Sequence, residues 1–166
     1  MSAELNFVRQ QGFADATPAT CLRLYPALTW QPRAVGVLLL VLVPLGWWPG
    51  FGALAAVLWW GALAPRANPF DLAYDRAVAA PRGLPPIPPA PAPRRFAQGV
   101  AGTLAAGIAL ALHQRWTTSA LVMQGTFLTA VAALAYGRFC LGSFLYHLLL
   151  GDARVARRTL PWSRAR

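Results

Sequence analysis

The chain has few charges and no lysine. Charged residues make up 12% of its 166 residues, against 57% hydrophobic residues, and all 15 basic residues are arginine. Soluble domains carry about twice that charged fraction. So few charges cannot cover a globule of this size in water, which argues against the alternative of a very apolar soluble helical protein. The composition therefore predicts an integral membrane protein.

Several kinds of site are also missing. Two distant cysteines give no disulfide framework. There is no glycine-rich phosphate loop, no Ser/His/Asp set and no carboxylate pair. The acidic residues Asp71, Asp75 and Asp152 lie outside the apolar runs, which disfavours an ion-coupled transporter. Residues 1–30 lack the apolar core of a signal peptide, so nothing indicates cleavage or export.

The arginines lie in the gaps between apolar runs, not on a polar face with interleaved aromatic residues. This pattern is typical of membrane proteins and disfavours nucleic-acid binding. Fourteen of the fifteen fall on one side of the expected topology, and only Arg115 falls on the other. The positive-inside rule then predicts a multi-pass protein of the bacterial inner (cytoplasmic) membrane with both termini in the cytoplasm.

The first pair of apolar runs covers residues 33–65. The runs 33–48 and 50–65 meet at the breakers Pro49 and Gly50, beside paired tryptophans that suit a membrane interface. Each run has about 15 residues, short of the ~20 that usually span a bilayer. Either a thin or tilted spanning hairpin or a hairpin that dips in and returns fits this length.

Residues 66–95 predict a cytoplasmic connection between two hairpins. Asn68 is a good N-cap and Pro69 a good first helical residue. Apolar residues then recur every three or four positions, which places them on one face of a helix. On this pattern Asp71 takes the opposite, polar face of a short helix that lies on the membrane surface and ends at Pro81. The proline-rich stretch that follows predicts an extended connector, with a peptide ligand as the alternative.

The second pair of runs, 96–113 and 118 to about 137, lies within residues 96–150, and both runs are long enough to span. Small residues recur every fourth position on each, a spacing that allows close helix approach in lipid. The two stripes predict a tight antiparallel pair. They consist of Gly99, Thr103, Gly107 and Ala111 on one helix and of Gly125, Thr129, Ala133 and Gly137 on the other. Gln124 is expected to form an interhelical hydrogen bond.

The predicted fold is an all-α membrane protein with four membrane helices in two hairpins. A cytoplasmic segment over 1–32 precedes the first hairpin, and a basic cytoplasmic tail covers 151–166. We expect the lipid bilayer as a partner, with headgroup contacts from arginines near the ends of the runs. These are Arg94, Arg95, Arg154, Arg157 and Arg158.

Two stretches, "PRRFAQG" at 93–99 and "FCLGS" at 139–143, carry a family resemblance. With "NPFDLAYDRAV" they resemble the bacterial membrane-protein family described as domain of unknown function 4395, over roughly residues 34–150. The resemblance implies a small four-helix membrane protein and no particular reaction. It also implies that many members have a second cysteine where this chain has Ser143, which weakens a dithiol role.

Cys140 and His147 open the question of a metal or redox site. Seven residues apart on a helix, they are about 10 Å apart along the axis, too far to share one metal, so no metal site is predicted. Cys140 and Ser143 form a Cys-x-x-Ser spacing that monothiol redox sites use, whereas the alternative is a buried, inert thiol. His113 and His147 are candidate haem ligands, but on the expected topology they lie on opposite sides of the membrane.

These patterns favour a non-catalytic accessory or structural subunit that packs against other membrane proteins or itself. No cofactor is predicted. The alternatives are a membrane thiol-redox helper that uses Cys140 and a protein that binds quinone or another small molecule. The small-residue stripes and the absence of a catalytic set carry the first hypothesis.

Overall fold

The computed structural model describes residues 3–150 and 153–163, so the final residues of the predicted basic tail lie outside the described part. The described residues are all-α, with eight α-helices. In chain order these are α1 (Ala3–Gln10), α2 (Pro18–Leu45), α3 (Trp48–Leu63), α4 (Pro69–Tyr74), α5 (Ala92–His113), α6 (Thr117–Ala135), α7 (Leu141–Leu149) and α8 (Ala153–Arg158).

Helix α2 is much longer than its apolar run. It has 28 residues and begins at Pro18, where the Thr17 side chain accepts a hydrogen bond from Thr20 N. This cap and a proline in the first turn start the helix 15 residues before the predicted start at residue 33. It ends at Gly46, whose left-handed backbone (φ 57°) suits glycine. Much of the segment predicted as 1–32 is therefore helical.

Three helices are long and apolar enough to cross a membrane: α2, α5 and α6. Helix α3 is apolar but has only 16 residues. The protein is therefore a helical protein with three candidate spans and a fourth, shorter apolar helix.

Of the two sequential helix pairs that the sequence predicts, α5 and α6 pack against each other, whereas α2 and α3 do not pack extensively. Helix α3 packs most extensively on α5, and α2 packs on α6, while α2 and α3 share few close backbone contacts. Gly102 permits the α3–α5 approach, since a Cβ there would lie 3.3 Å from Ala55 O and 2.7 Å from the Trp59 ring. A core of side chains from α2, α3, α5 and α6 fills the centre, including Leu39, Phe51 and Ile108.

The two small-residue stripes do not meet, so the predicted α5–α6 interface is wrong along them. A Cβ on Gly125 would have nothing within 4 Å, and Thr129 is exposed and donates to Gly125 O of its own helix. Helix α6 instead turns larger side chains inward, among them Phe127 and Val131. Large core residues of α6 fill this interface, and the small residues of the α6 stripe mostly lie outside it.

The placements of the remaining stripe residues differ from one another. Gly99 is buried against Trp59, Gly107 lies against the Met123 side chain, and Ala111 is buried. Ala133 is half-buried, whereas Thr103 and Gly137 are exposed. The α5 stripe therefore contacts both α3 and α6, whereas the α6 stripe mostly faces away from the protein.

The connection between α3 and α5 is helical at first and extended afterwards. The Asn68 side chain accepts from Phe70 N at 3.0 Å, as its predicted capping role requires. A π-helical turn, Asp75–Ala79, and a 3-10 turn, Ala80–Arg82, continue the helix past the predicted end at Pro81. Of the predicted apolar face, Tyr74 is buried while Ala73 and Ala77 are exposed, and Asp71, which was expected on the opposite polar face, is buried.

Candidate functional site

A buried ion pair joins the connector to the start of α5. Arg94 donates through Nη1 to Asp71 Oδ2 at 2.9 Å and through Nη2 to Asp71 Oδ1 at 2.5 Å, a bidentate arrangement. Arg94 Nη2 also donates to Gln31 Oε1 of α2 at 3.2 Å. Arg94 is 4% exposed, which corrects the prediction that it contacts lipid headgroups. Such a pair holds α2, α4 and α5 together at one end of the helices.

One turn further along α5, Gln98 extends this polar group toward the core. Its Nε2 donates to Gln31 Oε1 at 2.7 Å, so that oxygen accepts from both Arg94 and Gln98. Gln98 Oε1 has no hydrogen-bond partner although the side chain is only 5% exposed. A buried amide oxygen without a partner costs about 1–3 kcal/mol, so this atom favours occupation by a donor.

Gln98 lines a central cavity of about 70 Å³ between α2, α3, α5 and α6. One part of its wall is polar and the rest is aliphatic or aromatic. The lining residues are Gln11, Leu28, Gln31, Pro32, Val35, Leu58, Arg94, Ala97, Gln98, Ala101, Phe127, Val131, Leu134 and Cys140. A cavity with a polar wall and an apolar wall is typical of small-molecule sites.

Cys140 lies at the N-terminal end of α7. It adopts an extended backbone as the N-cap, its Sγ accepts from Ser143 N at 3.5 Å, and its backbone N donates to Gln10 Oε1 at 2.8 Å. Ser143 is fully buried, and its hydroxyl donates to Pro93 O at 3.3 Å. The Cys-x-x-Ser spacing is therefore an N-cap arrangement that fixes α7 against the start of α5.

The two histidines occupy different parts of the fold. His147 lies on α7, and its Nε2 is 3.1 Å from the backbone oxygen of Gln10 at the end of α1. His113 is exposed at the end of α5, where its ring lies 4.9 Å from that of Trp48. Among residues 3–150 and 153–163, no group of three or more His, Cys, Asp or Glu side chains is placed to hold a metal ion.

The other arginines with predicted headgroup contacts are exposed. Arg95 donates through Nε to Ala62 O at 2.7 Å, which caps the end of α3. Arg154, Arg157 and Arg158 lie exposed on α8. Arg138, in the loop before α7, hydrogen-bonds the Tyr25 hydroxyl at 3.3 Å, and this bond raises the pKa of Arg138 above its usual value.

Sequence reasoning missed the amides that build the site. Gln31, Gln98 and Gln10 come from three different helices, and Asp71 was assigned to a solvent face. Gln98 and Arg94 lie in "PRRFAQG" and Asp71 lies in "NPFDLAYDRAV", stretches that carried only the family resemblance. An uncharged amide just inside an apolar run is the signal that could have drawn attention to Gln98.

Comparison with known proteins identifies a family. The family model described as "Domain of unknown function (DUF4395)" matches residues 27–150, well over half of the chain. Neither a curated protein nor a solved structure matches the chain.

Proposed function

As the chain belongs to the DUF4395 family, whose description names no activity, we propose a function from the site itself. The protein is a non-catalytic membrane protein that binds a small molecule in its central cavity. The observation that carries this proposal is the unpartnered, buried Gln98 Oε1 beside the cavity.

The hydrogen-bonding state of Gln98 defines the head of the ligand. Its Nε2 donates one hydrogen to Gln31 Oε1, whereas its Oε1 has no partner. A ligand that satisfies Oε1 must present a donor, such as a hydroxyl or amino group. Arg94 is neutralised by Asp71, so the site offers no free positive charge to an acid. A neutral donor fits best.

The rest of the cavity defines the body of the ligand. Val35, Phe127 and Val131 form an apolar wall. The volume of about 70 Å³ is half that of a cavity that holds benzene, so it fits a few heavy atoms. A short alcohol, or the hydroxyl end of a longer amphipathic molecule, has this size and polarity.

Cys140 provides a local reporter for occupancy, because it lines the same cavity. In a Cys21→Ser background, methyl methanethiosulfonate modification of Cys140 is followed by intact-mass spectrometry. The isomers 1-butanol and diethyl ether are the matched probes, since only the alcohol donates a hydrogen bond. We expect 1-butanol to slow the modification more than diethyl ether, and Gln98→Leu to abolish the difference. Equal protection by both isomers in the parent protein would contradict the proposal.

A second candidate function, thiol exchange at Cys140, has one specific observation in its favour. The sulfur lies at the N-terminus of α7, where it accepts from Ser143 N at 3.5 Å. In such an exchange the thiolate attacks one sulfur of a disulfide, a new S–S bond forms, and the other sulfur leaves as thiolate. Modification at pH 6 as fast as that of free cysteine at pH 8 would favour this function. Since Cys140 is only 3% exposed, we expect slow modification.

The location we propose is the bacterial inner membrane, with both termini in the cytoplasm. Its support is the arginine distribution, with Arg115 alone at the far end of α5 and the cationic residues otherwise at the near end or in the terminal segments. The accessory-subunit hypothesis stays a prediction: the small-residue face of α6 is exposed, and no described residue covers Gly125.

A further inference from the structure

A second groove lies at the opposite end of α5 from Arg94. It has a volume of about 460 Å³ and is formed by the end of α2, the end of α5 and the first half of α6. Its lining residues are Val43, Pro44, Leu45, Gly46, Ala111, Leu112, Arg115, Thr117, Ala120, Leu121 and Gln124. From Arg94 to the end of α5 at His113 there are 19 positions, about 29 Å of helix, which is close to the thickness of a bilayer core.

The groove has two polar levels. At its outer end, exposed Arg115 precedes the first turn of α6, which has no side-chain cap and so leaves the positive end of a 19-residue helix available. Among the described residues no carboxylate forms an ion pair with Arg115. This end favours an anion.

The inner level is the Gln124 amide. Gln124 lines the groove, is 3% exposed, and its Nε2 has no hydrogen-bond partner. The interhelical bond predicted for this amide is therefore not made through Nε2. Gln124 lies seven residues into α6 from Thr117, roughly 10 Å deeper along the helix. This level requires a neutral acceptor within an apolar wall that includes Val43, Leu112 and Leu121.

We propose that this groove binds one anionic diacyl phospholipid. The phosphate lies at Arg115 and the start of α6, an ester carbonyl below it accepts from Gln124 Nε2, and an acyl chain lies along the apolar wall. Exposed Trp47, Trp48 and Trp116 at this end are typical of the headgroup level. A free phosphate has no carbonyl for the deeper level, and a fatty acid has only one polar level.

The test measures lipid affinity of the detergent-purified protein by native mass spectrometry. Ester-linked and ether-linked phosphatidylglycerol are the matched pair, since the ether lipid lacks the carbonyl. We expect the ester lipid to bind the parent about threefold more tightly, and Gln124→Leu to remove this preference. Equal binding of the two lipids by the parent would overturn the proposal, as would an unchanged preference in Gln124→Leu.

The charge level is tested separately with Arg115→Asn. Asparagine tolerates the positive φ of 58° at this position, so the loop is kept. We expect the preference for phosphatidylglycerol over phosphatidylcholine to fall about fivefold. The matched control is Arg76→Asn, which removes an exposed arginine near the other end and should leave the preference intact. The assignment would be overturned if Arg76→Asn lost as much of the phosphatidylglycerol preference as Arg115→Asn. It would also be overturned if inorganic phosphate competed with phosphatidylglycerol as well as the lipid itself does.

Discussion

Arg94 shows how far one residue can differ from the expectation that its sequence neighbours create. In sequence it is one of two adjacent arginines at the start of an apolar run, and Arg95 next to it is exposed. Helical geometry turns the two side chains about 100° apart, so only one of them faces the connector and meets Asp71. The partner is 23 positions away, a distance that no local pattern encodes.

Loss of either member of this pair should destabilise the protein strongly. Asp71→Asn and Arg94→Gln each leave a buried charge without its counter-charge, which costs about 3–5 kcal/mol. We expect a large drop in melting temperature in detergent for both, and partial recovery in the double variant Asp71→Leu/Arg94→Met. The control is the half-exposed pair Arg138–Glu4, in which Arg138 Nη2 lies 3.4 Å from Glu4 Oε1, and Glu4→Gln should change the melting temperature little. Single variants that melt like the parent would show that the pair is not formed.

At the scale of the helices, apolar runs and caps predict where a helix forms better than they predict which helices pack against each other. The runs located α3, α5 and α6 to within about four residues, and the Asn68 cap was correct. The start of α2 at Pro18 was missed, because residues 18–32 lack a continuous apolar run. Helix α7 was not separated from the second hairpin, because its residues are as apolar as the run before it. Partner choice failed for a different reason. Small residues permit close approach, but they do not require it, and Gly102, outside the predicted stripe, lies against Trp59 and Ala55 O of α3.

A matched pair of glycine variants tests which helices meet. Both Gly102→Leu and Gly125→Leu replace a mid-helix glycine, which by itself favours the helix by up to about 1 kcal/mol. Gly102→Leu should nevertheless lower the melting temperature, since its side chain would collide with Trp59 and Ala55 O of α3. Gly125→Leu has open space and should melt at or above the parent temperature. A lower melting temperature for Gly125→Leu would instead indicate that another protein molecule covers this face.

For the molecule as a whole, the open question from the sequence is whether the short α3 crosses the membrane. Its two ends meet the two ends of α5: the Trp48 ring contacts the His113 ring, and Ala62 O accepts from Arg95 Nε. The two helices are thus antiparallel over nearly the whole of α5, which is a candidate span. If α5 crosses the bilayer, α3 covers nearly the same depth despite its 16 residues. The length of the apolar run could not predict this depth, because the depth follows from the contacts of α3 with both ends of α5.

Three single cysteines, placed in a Cys21→Ser/Cys140→Ser background, distinguish a crossing α3 from a hairpin that dips in and returns. The sites are Leu45→Cys before α3, Ala67→Cys after it and Gln114→Cys after α5, all at exposed positions. With four crossings and cytoplasmic termini, a membrane-impermeant maleimide added to intact cells should label positions 45 and 114 and leave 67 unlabelled until the cells are opened. A hairpin that returns would leave 45 unlabelled as well, with 114 still labelled. Labelling of 67 alone would reverse the orientation and contradict the arginine rule, since the connector that carries Arg66, Arg76, Arg82, Arg94 and Arg95 would then lie outside.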